Sequence, residues 1–224
     1  MKYSYVLFDA DETLFKFDIL AGMQQMFTKY GISFTTADYQ HYQTINKPLW
    51  VKYQNGEISA QYLQVTRFNE WSAKLNVPAE KLNEEFLDAM ADICQPLPGA
   101  ISLLNAIKPH AKLGIITNGF ARLQRIRLAR TGLTDMFEWL VVSELVSNPK
   151  PHPSIFEHTF ELMGNPDKSQ ILMVGDTPAS DILGAQNVGI DTCWLQHPNE
   201  TLPQGISPTY TVQNLAQLQS LLLN

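Results

Sequence analysis

A chain of 224 residues, 45% apolar and 17% charged, has the size of one large domain or of one domain carrying an insertion, and its composition excludes the disordered, collagen-like and low-complexity classes. Sixteen lysines and arginines against 22 aspartates and glutamates leave a net charge of −6. No global positive field therefore draws in a nucleic-acid polymer or an anionic membrane, and any anionic ligand must be captured locally. The two cysteines, Cys94 and Cys193, lack zinc-site spacing and are too few for a disulfide framework. With no signal-like apolar run or stretch of 18 apolar residues, the expectation is a soluble cytoplasmic protein with reduced, buried thiols.

Val6, Leu7 and Phe8, preceded by two tyrosines, read as a buried strand whose C-terminal end presents Asp9 and Asp11. From 17 to 93 there is no strand pattern but four helical ones. Met23, Phe27 and Tyr30 precede Gly31; Tyr39, Tyr42, Ile45 and Leu49 follow a cap at Thr36. Tyr62, Val65, Phe68 and Leu75 then follow Ser59, and Leu82, Phe86, Met90 and Ile93 follow Pro78. From 95 onward, apolar runs at 113–117, 139–143, 171–175 and 192–195 alternate with helical stripes. The stripes are Ile101, Leu104 and Ile107; Leu123 and Ile126; Ile155 through Met163; and Leu215, Leu218 and Leu222. Such alternation predicts βα units, a parallel sheet with helices on both faces, and a helical insertion over the C-terminal edge of the sheet. The expected boundaries are 1–16 and 95–224 for the α/β core and 17–94 for a helical cap.

Four strand ends carry reactive groups: Asp9, Asp11 and Thr13; Thr117 and Asn118; Lys150; and Asp176 with Asp181. Parallel strands bring their C-terminal ends to one crevice, so these groups are expected to surround one ligand. Carboxylates from two strands crowded together raise each other's pKa unless a cation is present, and an all-oxygen set of this kind suits magnesium, with manganese as the alternative. Taken singly, an Asp-x-Asp is more often a loop hydrogen-bonder, Thr117 a turn residue and Lys150 a solvated lysine; their coincidence is the argument. Arg122, Arg125, Arg127 and Arg130 read as a solvated helix face, and the five histidines as surface or packing residues.

The order Asp9-x-Asp11-x-Thr13, Thr117, Lys150, then Gly175, Asp176 and Asp181 resembles the haloacid dehalogenase (HAD) superfamily over essentially the whole chain. The segments 8–15, 46–56, 114–120 and 173–185 are similar to those of bacterial pyrimidine 5'-nucleotidases; a departure is Ser147-Asn148-Pro149 ahead of Lys150. The resemblance implies an α/β fold, a Rossmann-like parallel sheet with an inserted helical-bundle cap, and a magnesium-dependent phosphatase acting on nucleoside monophosphates. In it Asp9 is the nucleophile and Asp11 the general acid and then base. Thr117, the Asn118 backbone N–H and Lys150 bind phosphate, while Asp9, the Asp11 carbonyl and Asp176 hold the metal. Thr13 and Asp181 stand behind these groups, Asp181 orienting Lys150 or a metal-bound water. Phe15, on the turn after the first strand, is expected to stack on a pyrimidine, and Asn46, Lys47, Trp50 and Arg67 to line the lid. The partner is then a small phosphomonoester, with no nucleic-acid polymer or membrane, and the chain a monomer or homodimer. The rivals are a phosphatase of sugar phosphates such as phosphoglycolate, and a non-enzymatic phospho-receiver.

Overall fold

The computed structural model describes residues 1–146 and 148–224; Ser147, part of the 147–149 departure, lies outside them. Six strands, β1 (Tyr5–Phe8), β2 (Lys112–Thr117), β3 (Trp139–Val142), β4 (Ile171–Gly175), β5 (Asp191–Leu195) and β6 (Tyr210–Val212), form one sheet in the order β3-β2-β1-β4-β5-β6. Every neighbouring pair is parallel. Val6, Leu7 and Phe8 are all fully enclosed, and successive strand side chains point to opposite faces, so both faces of the sheet are covered. This is a Rossmann-like α/β fold. Its order reverses between β1 and β4: β2 and β3 wind outward on one side, β4 to β6 on the other. Where the order reverses, the loops leaving adjacent strand ends diverge and open a crevice. The register Phe8↔Val174 therefore sets the residues after β1 and β4 side by side at that opening.

The chain divides into two compact units. The sheet unit comprises Met1–Lys16, Gln95–Ala121 and Thr131–Asn224; the helical unit comprises Phe17–Cys94 with Arg122–Arg130. In the sheet unit the Lys16 N–H donates to the Gln95 carbonyl at 2.9 Å, so the points where the insertion leaves and returns are hydrogen-bonded neighbours.

In the helical unit lie α1 (Ile19–Thr28), α2 (Thr36–Gln54), α3 (Ala60–Thr66), α4 (Asn69–Leu75) and α5 (Ala79–Ile93). The expected third helix is two, because the chain turns at Arg67 and Phe68 and starts again at Asn69. The cap of α2 is Thr35 rather than Thr36: its hydroxyl accepts from the Asp38 N–H while the Asp38 carboxylate accepts from the Thr35 N–H, a reciprocal pair satisfying two donors. α1 packs on α5 so closely that a Cβ on Gly22 would lie 2.2 Å from Met90 Sδ.

Continuing, α6 (Ala100–Ile107), α7 (Ala121–Thr131), α8 (Ser143–Val146), α9 (Pro153–Leu162), α10 (Leu183–Asn187) and α11 (Leu215–Leu223) complete the α-helices among the described residues. Ile155, Phe156 and Phe160 of α9 pack with Leu7, Ile116 and Met173 of the sheet. On α6 Leu104 and Ile107 of the predicted stripe are buried, joined by Ala100 and Leu103, while Ile101 is exposed. The arginines of α7 do not form one solvated face. Arg127 is buried, and Arg122 and Arg130 are ion-paired with Asp88 and Asp92. Cys193 is buried and its thiol pushed up to about 12 by burial, so it stays neutral; Cys94 is only half-buried. Among the described residues no helix is long and apolar enough to cross a membrane.

Candidate active site

The loop after β1 begins with Asp9, whose N–H continues the ladder by donating to the Val174 carbonyl at 2.8 Å. The chain then tightens into a turn in which the Leu14 and Phe15 N–H groups both donate to the Ala10 carbonyl at 3.0 Å. Thr13, fully enclosed, faces the neighbouring loop: its hydroxyl accepts from the Asp176 N–H at 3.1 Å and donates to Asp176 Oδ1 at 3.2 Å. A single side chain thus ties the β1 loop to the β4 loop.

After β4, Gly175 is required by space: a Cβ there would lie 2.2 Å from Asp181 Oδ2. The chain next makes a π-helical turn (Pro178–Ile182) running into α10. Wide turns of this kind re-aim side chains, and here the turn brings Asp181 back beneath the strand end. Both carboxylate oxygens of Asp181 are engaged, Oδ2 by the Thr177 N–H at 3.0 Å and Oδ1 by Lys150 Nζ at 2.7 Å.

Lys150 is 1% exposed, and its ammonium has three donors and three acceptors: Asp9 Oδ1 at 2.6 Å, Asp181 Oδ1 at 2.7 Å and the Ile116 carbonyl at 2.6 Å. All three hydrogens are used, so contact with a phosphate requires one of them to be exchanged. The Lys150 backbone is clamped by Asn118, whose Nδ2 donates to the Lys150 carbonyl at 2.8 Å and whose Oδ1 accepts its N–H at 2.7 Å. Thr117, buried at the end of β2, accepts the Gly119 N–H at 3.1 Å and keeps its own hydroxyl hydrogen to donate.

Carboxylate oxygens of Asp9, Asp176 and Asp181 lie within 4.8 Å of one another; the Asp11 carboxylate is not part of this group. Burial, followed by the charges of Asp181 and Asp9, pushes Asp176 up to about 8. Burial pushes Asp181 up to about 6, against the pull of Lys150. Burial also opposes the Lys150 charge, but the Asp181 and Asp9 carboxylates outweigh it and hold the ammonium above the usual lysine range. Three carboxylates around one ammonium form a pocket of excess negative charge with hard oxygen donors, which fits a divalent cation such as magnesium.

The model of the haloacid dehalogenase-like hydrolases matches residues 6–195. The chain belongs to this family. Over 222 residues, 99% of both chains, this HAD-like hydrolase is 56% identical to the pyrimidine 5'-nucleotidase YjjG of Escherichia coli. It is 32% identical to the pyrimidine 5'-nucleotidase PynA of Streptococcus pneumoniae, over 97% of this chain and 94% of that one. Among solved structures, the magnesium-bound HAD-hydrolase YfnB of Bacillus subtilis superposes with a TM-score of 0.85 at 27% identity, covering 100% of both chains.

Of the residues expected to act, Lys150 contacts Asp9 and Asp181 directly and Thr13 contacts Asp176, the two groups meeting where the carboxylate oxygens of Asp9, Asp176 and Asp181 lie within 4.8 Å of one another, with Asn118 against the lysine backbone. Asp11 is half-buried on the same turn. Phe15 departs from expectation: its side chain is fully enclosed, and its backbone bridges Asp11 and Pro96, which makes it a packing residue and not a ring offered to a base. Within the helical unit Asn46 is buried, accepting from the Tyr42 hydroxyl and donating to Gln43 Oε1, both at 3.2 Å, so its amide is committed to packing. Arg67 is likewise buried there, beside Asn83 and the Phe68 and Phe86 rings. Lys47 is exposed and Trp50 half-buried beside Tyr53. Two residues went unnoticed in the sequence. Trp194 Nε1 donates to the Asp176 carbonyl at 2.9 Å, and His197 Nε2 lies 2.7 Å from the Glu12 carbonyl. Trp194 carries no local signal beyond that of a buried strand residue, and a lone histidine in a loop carries none.

Proposed function

We propose that this hydrolase is a magnesium-dependent 5'-nucleotidase that removes phosphate from pyrimidine nucleoside 5'-monophosphates through an aspartyl-phosphate. The observation that carries the reading is the buried contact of Lys150 with Asp9 and Asp181 at the switch point, beside Asp176. The substrate class comes from the likeness to two pyrimidine 5'-nucleotidases.

Asp9 attacks phosphorus, the bond to the ester oxygen breaks, and the phosphoryl group passes to the Asp9 carboxylate. Asp11 gives its proton to the departing 5'-oxygen and then takes one from the water that opens the acyl-phosphate. Lys150 aims the Asp9 oxygen and lowers repulsion between two anions, and the Thr117 hydroxyl with the Asn118 N–H donates to the phosphoryl oxygens. A magnesium ion held by Asp9, Asp176 and the Asp11 carbonyl would supply charge neutralisation for nucleophile and phosphate together.

The test is phosphate release from dUMP, dTMP and phosphoglycolate, with and without a chelator, using Asp9→Asn as control. Preference for the pyrimidine nucleotides, loss with chelator and loss in Asp9→Asn are expected. Preference for phosphoglycolate would overturn the substrate class, and full turnover by Asp9→Asn the covalent route. Lys47 and Trp50 are proposed to aid nucleotide recognition, which requires a raised KM in their Ala variants.

A further inference from the structure

We infer that His197 is a positioning residue for Asp11, acting through the Glu12 carbonyl; the inference rests on the phosphatase reading above. Glu12 has φ +55°, a left-handed conformation that residues with a Cβ avoid, and it lies between Asp11 and Thr13. Something must hold it there. Its N–H donates to the Phe15 carbonyl at 2.8 Å, and its carbonyl meets His197 Nε2 at 2.7 Å across 185 residues of sequence. A carbonyl only accepts, so Nε2 carries the hydrogen in this contact.

His197 is itself fixed by the short turn that follows β5. The His197 N–H donates to the Glu200 carboxylate at 3.1 Å, the Glu200 N–H to the His197 carbonyl at 3.2 Å, and Gln196 Nε2 to the Glu200 carbonyl at 2.9 Å. Gln196 is anchored to the sheet, its N–H donating to the Val212 carbonyl at 2.8 Å. The imidazole is therefore a strut from the sheet to the Glu12–Thr13 peptide, one residue beyond the acid, matching the Trp194 bond to the Asp176 carbonyl from the same strand end. A proton donor displaced by about an ångström loses on the order of 100-fold in rate, and because Glu12 follows Asp11 directly, holding its left-handed backbone at both the N–H and the carbonyl sets how well Asp11 reaches the leaving oxygen.

Such a role leaves a signature that depends on the leaving group. Departure of a nucleoside 5'-oxygen needs the proton from Asp11, whereas p-nitrophenolate departs without one. kcat/KM reports only the steps through formation of the acyl-phosphate and isolates this difference. His197→Ala is expected to lower kcat/KM for dUMP by about 10- to 100-fold and for p-nitrophenyl phosphate by less than about threefold. His197→Gln, which carries an N–H at nearly the Nε2 position, is expected to restore most of the dUMP rate. Should His197→Ala fail to fold, His197→Leu, which fills the space but donates nothing, takes its place in the comparison. An unchanged dUMP rate, equal losses on both substrates, or no rescue by Gln would each overturn the inference while leaving the phosphatase reading intact. A wild-type chain inactive on both substrates would overturn that reading and the inference with it.

Discussion

At the scale of single residues, Lys150 is the group on which the others depend. A buried ammonium is unfavourable by itself and persists because Asp9 and Asp181 each accept one of its hydrogens and the Ile116 carbonyl the third. Lys150→Met keeps the volume but leaves those two carboxylates facing each other with no cation between them. Removing one partner of a buried pair costs about 3–5 kcal/mol, so metal-free Lys150→Met is expected to lose that much in urea denaturation, along with turnover. A loss below about 1 kcal/mol, the range of exposed pairs, would mean the contact contributes little to the fold. Thr13 is the quieter counterpart. Its hydroxyl uses both donor and acceptor on Asp176, a requirement that serine meets and valine does not.

At the scale of elements, the β4 end and the π-helical turn after it form one device. The turn folds Asp181 under the strand end, and the absence of a side chain at Gly175 is what leaves room for it. Gly175→Ala is therefore expected to keep the sheet but push Asp181 away from Lys150. The expected loss in kcat is about 100-fold with little change in circular dichroism, and near-wild-type turnover would contradict the close approach. The same elements explain what the sequence could reveal. β1, β2, β4 and β5 were legible because strands covered on both faces are largely apolar runs, and the ends of β1, β2 and β4 announced themselves through carboxylates, a threonine and a glycine. β6 was not, since only Val212 of its three residues is buried and an edge strand so short has no period. The break between α3 and α4 was hidden because Tyr62, Val65 and Phe68 continue a helical spacing through it, although Tyr62 proves exposed. Phe15 and Arg127 failed for one reason. Side-chain type suggests a ring for stacking or a charge for solvent, but tertiary packing encloses both, and packing is not written in local order. The clamp of Asn118 on the Lys150 backbone spans 32 residues and leaves no trace in spacing.

At the scale of the whole molecule, the site should be visible as a dependence of stability on pH and metal. Asp176 is raised to about 8 and Asp181 to about 6 in the folded chain, both from the ordinary 3.8. Below about pH 4 these groups are protonated in folded and unfolded chains alike. As pH rises, the unfolded chain releases both protons while the folded chain retains them until about 6 and about 8. The unfolded state then binds fewer protons, and stability falls with pH across that window, the reverse of an ordinary salt-bridged aspartate. Lys150 keeps its proton throughout, being held above the usual lysine range, and adds no slope there. Metal-free protein is therefore expected to show a melting temperature that declines from pH 5 to pH 8, and Asp176→Asn, with one titration removed, a shallower decline. Magnesium binds the ionised carboxylates of the folded chain only, so at 100-fold over its Kd it adds about 2.7 kcal/mol and flattens the profile. The measurement is a set of thermal melts across pH with chelator and with magnesium, for wild type and Asp176→Asn. A chelated wild type whose melting temperature holds level or climbs across that range would mean that Asp176 and Asp181 ionise freely in the fold, and that the pocket lacks the excess negative charge that calls for a cation.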